Sequence, residues 1–371
     1  MRAWRLLVTG GGTGGHVYPA LAVARRAAER FAPVEVLYVG SRGGLEGELA
    51  PRAGLAFTAI SVSGIFRRSP AEAVRGVVRI GGSVRAALGI VRRFNPDVVV
   101  GTGGYAAGPV GAAAVLLRRP LVLQEQNVIP GVTNRLLSSF ATGVAVPYPD
   151  AREYFPPKAR LWPLGNPVRT EVLGVERREG RERLGLPAHG PVVLFYGGSR
   201  GSAVFVRLFA ELLEEWDGAA HLLFVSGEAH HAAVQSAVPE VPPHVTVLRY
   251  LHDMGAALGG VDLVIGRAGG MTLAELAATG RPAVLVPSPH VTHHHQEANA
   301  AVFARAGAAL VVPEAGLDGR RLGVIVRSLL AEPGRLQAMA AAAAALGRPA
   351  ALDDLVARIH DTARHTISGR R

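Results

Sequence analysis

The residues with the clearest chemical capacity stand near the N-terminus: Gly10-Gly11-Gly12-Thr13-Gly14-Gly15, followed directly by His16. Glycines let a backbone approach a phosphate closely. Where such a turn opens a helix, unpaired N–H groups and the helix dipole favour an anion. An imidazole beside that seat, titrating near neutrality, suits removal of a proton from a sugar hydroxyl. His16 equally suits a plainer role as a histidine capping the helix, and both readings stay open. The run also satisfies G-x-G-x-x-G, the dinucleotide fingerprint. That fingerprint calls for an acidic residue at the end of the second strand, where Val39-Gly40-Ser41-Arg42 stands instead. NAD thereby loses its ribose contact, and only an NADP version using Arg42 remains.

Further polar tips follow apolar runs. Gly101-Thr102-Gly103-Gly104-Tyr105 and Gln124-Glu125-Gln126-Asn127 each end a strand, and in doubly wound sheets such ends form the ligand crevice. In the second half, Gly197-Gly198-Ser199 offers backbone N–H groups and a hydroxyl to a phosphate. Later, Gly269, Gly270 and Thr272 open a helix, and Glu275 falls three residues beyond Thr272, where a capping-box glutamate would serve structure alone. His293, His294 and His295 lack an HExxH or cysteine partner, and adjacent helical residues point in different directions, which argues against a metal cluster. No Asp-x-Asp presents two carboxylates to a metal-bound diphosphate, so a leaving diphosphate would rely on helix N-termini and side chains.

The elements that must position these residues are legible as short Val- and Leu-rich runs alternating with helical stretches. Strands are expected at Leu6–Thr9, Val34–Val39, Phe57–Ser61, Val98–Gly101 and Leu121–Gln124. After the Pro-rich passage Tyr148–Pro163 they resume at Val192–Tyr196, Leu222–Val225, Val245–Leu248, Leu263–Ile265 and Ala283–Val286. Continuous rather than alternating apolar character marks strands buried on both faces of a parallel sheet. Each half begins strand, glycine turn, helix. The expectation is an α/β chain of two Rossmann-like domains facing a cleft. The boundaries read as 1–165, 166–345 and a terminal helix, 346–371, packing back toward the first domain.

Composition narrows the chemistry. The 371 residues carry 40 Lys plus Arg against 29 Asp plus Glu, a formal charge of +11, and residues 1–165 hold the whole excess. A basic half implies nucleic acid, an acidic membrane surface or a phosphorylated substrate. The absence of cysteine excludes disulfides, thiolate metal sites and a Cys nucleophile, and the single lysine, Lys158, leaves neither a Walker A loop nor Schiff-base chemistry. No secretory signal or uninterrupted spanning run is visible, so a soluble or peripheral protein is expected. From Ile65 to Phe94 seven arginines face one glutamate, with Val74, Val77, Val78, Val84, Leu88 and Val91 at helical spacing. One reading is a solvated arginine face. The other is a membrane contact with Ile65, Phe66, Val78 and Ile80 toward lipid and Arg75, Arg79 and Arg85 on anionic headgroups.

Taken together, the motifs resemble the bacterial peptidoglycan glycosyltransferases that convert lipid I to lipid II. The resemblance is carried by Gly11 to Pro19, Gly103-Gly104-Tyr105, Glu125-Gln126-Asn127, Gly165-Asn166-Pro167-Val168-Arg169, Gly197-Gly198-Ser199, Arg267 to Thr272, and Gln296 with Asn299-Ala300. It implies a glycosyltransferase-B fold and inverting transfer of GlcNAc from UDP-GlcNAc to the MurNAc 4-hydroxyl. It implies His16 as general base, with Glu125 as competitor or support. On the donor side Tyr250 and Leu251 would meet the uracil and Glu275 the ribose. Arg169, Ser199, Gly270, Met271 and Thr272 would face the diphosphate, helped by Thr13, Gly14, Gly15 and Asn127. Gln296 and Asn299 would bind the sugar, and His295 stands where the family often has glutamine. On the acceptor side it implies Thr13, Gly14, His16, Gly103, Gly104, Tyr105 and Asn127. No cofactor is required, a divalent ion being at most stimulatory. The partners implied are UDP-GlcNAc, lipid I and an anionic membrane surface, without nucleic acid, at the cytoplasmic face of the cell membrane. The rivals are a UDP-GlcNAc 2-epimerase on the same fold, an NADP oxidoreductase and a basic nucleic-acid-binding module.

Overall fold

The computed structural model describes residues 2–62, 70–198 and 201–368, with backbone alone for 70–79. The chain divides into two compact units, residues 1–167 with 350–371, and residues 168–349. The division falls after Pro167, so Asn166 and Pro167 lie with the first unit.

The first unit is a seven-stranded sheet with all neighbouring strands parallel, built from β1 (Trp4–Thr9), β2 (Val34–Ser41), β3 (Ala56–Ile60), β4 (Val98–Gly101), β5 (Leu121–Gln124), β6 (Gly143–Ala145) and β7 (Leu161–Trp162). Its helices are α1 (Gly14–Arg30), α2 (Glu46–Arg52), α3 (Pro70–Phe94), α4 (Ala107–Leu116) and α5 (Val132–Leu137). The strand order β3-β2-β1-β4-β5-β6-β7 reverses direction between β1 and β4. Alternate residues of each strand feed two cores. Leu6, Val8, Val98, Val100 and Val122 pack with Ala20, Val23 and Ala27 of α1, whereas Leu7, Val99, Leu121 and Leu123 pack with Ile90 and Val91 of α3 and Val110 and Ala113 of α4. Burial on both faces is the physical cause of the unbroken apolar runs.

The second unit is a six-stranded parallel sheet: β8 (Val192–Tyr196), β9 (His221–Val225), β10 (Val245–Leu248), β11 (Leu263–Gly266), β12 (Ala283–Leu285) and β13 (Ala309–Val311), in the order β10-β9-β8-β11-β12-β13. Its helices are α6 (Arg177–Leu184), α7 (Ala203–Leu213), α8 (His231–Ala237), α9 (Met254–Gly260), α10 (Gly270–Ala278), α11 (His295–Arg305), α12 (Gly319–Leu330) and α13 (Pro333–Leu346). Phe195 meets Phe205, Phe209 and Phe224 edge-on, and Phe209 stacks on Phe224 with centroids 4.2 Å apart. Aromatic pairs of this kind add about 0.5–1.5 kcal/mol each beyond their burial. The order reverses here between β8 and β11, the two strands that carry the second set of glycine turns.

The last helix, α14 (Ala351–Ser368), belongs to the first unit. Leu352, Leu355, Val356 and Ile359 enter the core beside Trp4 and α1. His360 stacks on Phe31 at 4.1 Å and meets Trp4 edge-on, and Asp353 takes both Arg26 Nε, at 2.7 Å, and a terminal guanidinium nitrogen, at 3.0 Å.

Candidate active site

In the first unit the glycine turns converge because they end the two strands at the reversal point. Thr13 is the extended residue before α1, so the first-turn N–H groups of Gly14 and Gly15 have no acceptor within the helix. Gly103 and Gly104 both hold positive φ, +100° and +83°. A β-carbon on Gly104 would lie 2.0 Å from Gly11 O, and one on Gly103 would lie 2.9 Å from the His16 ring, so only glycine lets these loops meet. Tyr105 projects from the same tip, 59% exposed, its ring beside Gly12.

His16, half-buried in the first turn of α1, does not cap its helix. Its Nδ1 lies 2.9 Å from Thr102 O and 2.9 Å from Gln126 Oε1. A backbone carbonyl can only accept, so Nδ1 carries a proton, and in the neutral ring the lone pair then lies on Nε2. Thr102 returns a bond from its hydroxyl to His16 O at 2.7 Å, fastening the end of β4 to α1.

Glu125 is buried and turned elsewhere. Its Oε1 accepts from Gln126 N, Asn127 N and Asn127 Nδ2, and its Oε2 from Gly131 N and Asn134 Nδ2, all at 2.9–3.2 Å. Five donors occupy its two oxygens, so Glu125 is an anchor for the 124–134 segment and for Asn127, with no bond to His16. Asn127 thus has its backbone fixed by the residue two before it.

Glu46 was missed by sequence reasoning. Fully buried at the start of α2, it accepts from Ser41 N at 2.8 Å, from Ser41 Oγ at 2.5 Å and from Gly12 N at 3.4 Å. A carboxylate therefore does stand at the end of β2, delivered by a helix five residues further on, and it is committed to the glycine loop. Tyr38 supports the same loop by donating to Gly10 O at 2.9 Å, and burial, with Glu46 nearby, pushes its phenol well above the ordinary range, so it remains a donor.

In the second unit, α10 starts at Gly270 behind an extended Gly269. Thr272 is therefore the third helical residue and Glu275 lies one turn deeper, which removes the capping-box reading. Glu275 is buried and its Oε1 lies 3.1 Å from a terminal guanidinium nitrogen of Arg169. Burial raises its carboxyl above the usual range while Arg169 opposes that shift. Asn299 donates to Ala268 O at 3.1 Å, and Gln296 Oε1 accepts from Ser288 N at 2.9 Å, so α11 holds both neighbouring loops. His295 donates from Nδ1 to Thr292 O at 2.9 Å, and His293 and His294 both take left-handed backbone. Tyr250 and the buried Leu251 follow β10 at the sheet edge, with Tyr250 4.8 Å from the His252 ring. Met271 lies half-buried in the first turn of α10. Ser199 lies outside the described residues. Sequence reasoning gave no separate role to Arg267. This buried arginine pairs with Glu314, lies over the Phe205 ring at 4.8 Å, and donates to Val286 O and to Ser202 Oγ, both at 3.0 Å. It thereby fixes Ser202, the extended residue just before α7. Among the described residues no three His, Asp or Glu side chains gather as a metal site.

Residues 6–146 match the glycosyltransferase family 28 N-terminal domain, and residues 192–355 match that family's C-terminal domain. The chain belongs to glycosyltransferase family 28. Within the family, a relative from Symbiobacterium thermophilum named UDP-N-acetylglucosamine–N-acetylmuramyl-(pentapeptide) pyrophosphoryl-undecaprenol N-acetylglucosamine transferase is 44% identical over 367 residues, covering 99% of this chain and 98% of its own. The crystal structure of Acinetobacter baumannii MurG matches with a TM-score of 0.78 at 28% identity, over 96% of this chain and 99% of that one. A UDP-GlcNAc 2-epimerase from Neisseria meningitidis matches with a TM-score of 0.67 over 96% of this chain and 100% of its own, but at 14% identity this likeness extends to the fold alone.

Proposed function

We propose that the chain transfers N-acetylglucosamine from UDP-GlcNAc to the MurNAc 4-hydroxyl of pentapeptide-bearing lipid I, forming lipid II for peptidoglycan, with inversion at the anomeric carbon. The near full-length relationship to enzymes named for that transfer supports the substrate pair. The observation that carries the chemistry is His16, held at the strand-order reversal with Nδ1 within 2.9 Å of two oxygens, which leaves Nε2 as the nitrogen that can act as base when the ring is neutral. In a single displacement the hydroxyl proton passes to Nε2 as the new oxygen–C1 bond forms. The C1–phosphate oxygen bond breaks, and its electron pair leaves on UDP.

In this reading the first unit holds the acceptor. The turns at Thr13, Gly14, Gly103 and Gly104 receive its diphosphate, Tyr105 and Asn127 orient it, and Glu125 keeps Asn127 in place. The second unit holds the donor. Glu275 takes the ribose hydroxyls and Tyr250 with Leu251 the uracil, while His295, Gln296 and Asn299 serve the sugar. Arg169, Ser199 and the start of α10 at Gly270, Met271 and Thr272 meet the negative charge of the leaving diphosphate.

A lipid-linked acceptor requires a membrane surface, and α3 suits one. No described helix is long and apolar enough to cross a membrane. On α3, Ile80 is 38% exposed and Arg85 is exposed. Ile65 and Phe66 lie outside the described residues, as do the side chains of Arg75, Val78 and Arg79. The reading places the protein peripherally at the cytoplasmic face of the membrane.

Incubation with labelled UDP-GlcNAc and a short-chain lipid I analogue tests the proposal. Label should move to the lipid. Release of a free UDP-linked product without lipid labelling would instead favour an epimerase.

A further inference from the structure

Behind His16 lies a chain of buried amides that the transfer reaction, as described, does not use. Gln126 Oε1 faces His16 Nδ1 at 2.9 Å, while Gln126 Nε2 donates to Thr102 O at 2.8 Å and to Gln124 Oε1. Turning this amide over would set its oxygen against those acceptors, so its orientation is determined. Gln124 Nε2 donates to Asn166 Oδ1 at 2.9 Å, and Asn166 Nδ2 donates back to Gln126 O at 2.9 Å. The loop closes on itself. Gln124, Gln126 and Asn166 are 0%, 3% and 3% exposed.

Burying three primary amides is costly unless each is hydrogen-bonded, and an apolar side chain would fill the volume more simply. A satisfied buried network instead enforces one arrangement of its members. Among the described residues the nearby carboxylates are engaged elsewhere: Glu125 is bonded to Asn127, Gly131 and Asn134, and Glu46 to Ser41 and Gly12. Among the described residues the partners of the ring's Nδ1 are two neutral oxygens.

We propose that Gln126 is a positioning residue for the transfer: with Thr102 O it fixes His16 as the Nδ1–H tautomer with Nε2 unprotonated, and Gln124 and Asn166 fix Gln126. This rests on the reading of His16 as the base. When Nε2 takes the hydroxyl proton, the Nδ1–H bond to Gln126 Oε1 strengthens, so the amide stabilises the imidazolium as it forms. A neutral acceptor does this without setting a second negative charge beside a seat for a diphosphate. A carboxylate in that place would repel the substrate.

Two measurements test it. In the wild-type protein with 15N-labelled histidine, His16 should show a proton on Nδ1 and a bare Nε2 above pH 8, and the opposite tautomer overturns the proposal. Gln126→Met, close in volume, should lower kcat about 10- to 100-fold with the UDP-GlcNAc KM within about twofold. It should also move the acid limb of the kcat profile to lower pH by about 0.5–1 pH unit, because a bond to the cationic form has been lost. A fall in kcat with the limb unmoved means a merely structural role and overturns the proposal. Should Gln126→Met fail to fold, Gln124→Met, one bond further away, should show the same displacement to a smaller extent, and its absence overturns the proposal too. His16→Ala separates the two levels. If it keeps near-normal turnover, the base reading itself fails; if it is inactive while Gln126→Met has the wild-type profile, only the role of Gln126 fails.

Discussion

The Glu275 carboxylate, buried in α10, lies 3.1 Å from the guanidinium of Arg169. The proposed function gives these two groups different partners, ribose hydroxyls and diphosphate, so each keeps the other's charge compensated until the donor arrives. Removing the cation leaves a buried carboxyl whose burial already raises it. Arg169→Met should therefore weaken UDP binding about tenfold or more near pH 8. The loss should grow as pH falls, because an uncompensated carboxyl takes up a proton earlier. Calorimetric titration at several pH values reads this; a loss independent of pH would mean that Arg169 acts on the diphosphate alone.

Glu125 distinguishes an anchor from a base. With five N–H donors converging on its oxygens, Glu125→Gln turns an amide NH2 against some of them. Unfolding stability should fall by about 2–3 kcal/mol, read by denaturant titration. If turnover disappeared while stability stayed at the wild-type level, Glu125 would be acting in the chemistry.

His360 ties α14 to the first unit by stacking on Phe31, and burial is the main cause that lowers its imidazole below the ordinary histidine range. Below that ordinary value the unfolded chain binds a proton that the folded chain refuses. Stability should thus fall as pH drops from about 7 toward 5, levelling off once the folded imidazole also titrates. His221, also lowered by burial, acts in the same direction. His360→Phe should flatten the dependence of the thermal midpoint on pH, leaving the His221 share; a profile parallel to wild type would remove His360 from the account.

The arginine-rich stretch tests the membrane reading. Arg75→Glu, Arg79→Glu and Arg85→Glu together should weaken binding to vesicles rich in anionic lipid by at least about a hundredfold, at about 1 kcal/mol per basic residue lost, and barely change binding to neutral vesicles. Raised salt should shrink the difference. Undiminished binding to anionic vesicles would move the contact off this helix.

The strands that carry the site were legible because their residues are buried on both faces, which leaves a local signature in sequence. β6, β7 and β13 were not expected. Each is only two or three residues long, and Leu161–Trp162 sits in a Pro-rich passage, so its strand character comes from pairing with β6 rather than from its own composition. Glycine clusters and His16 were legible too, since glycine at the end of an apolar run signals a turn from its neighbours alone.

Sequence by itself thus determined the parallel α/β class, the duplicated strand–turn–helix beginnings and the family. Tertiary structure decided what each polar group faces. His16 and Gln126 are 110 residues apart, Arg169 and Glu275 106, and Glu46 and Gly12 34. Periodicity reports only which side of an element meets the core. A hydrogen bond needs a donor and an acceptor within about 3 Å and in line, and only the crossing of the chain at the strand ends brings these pairs to that distance.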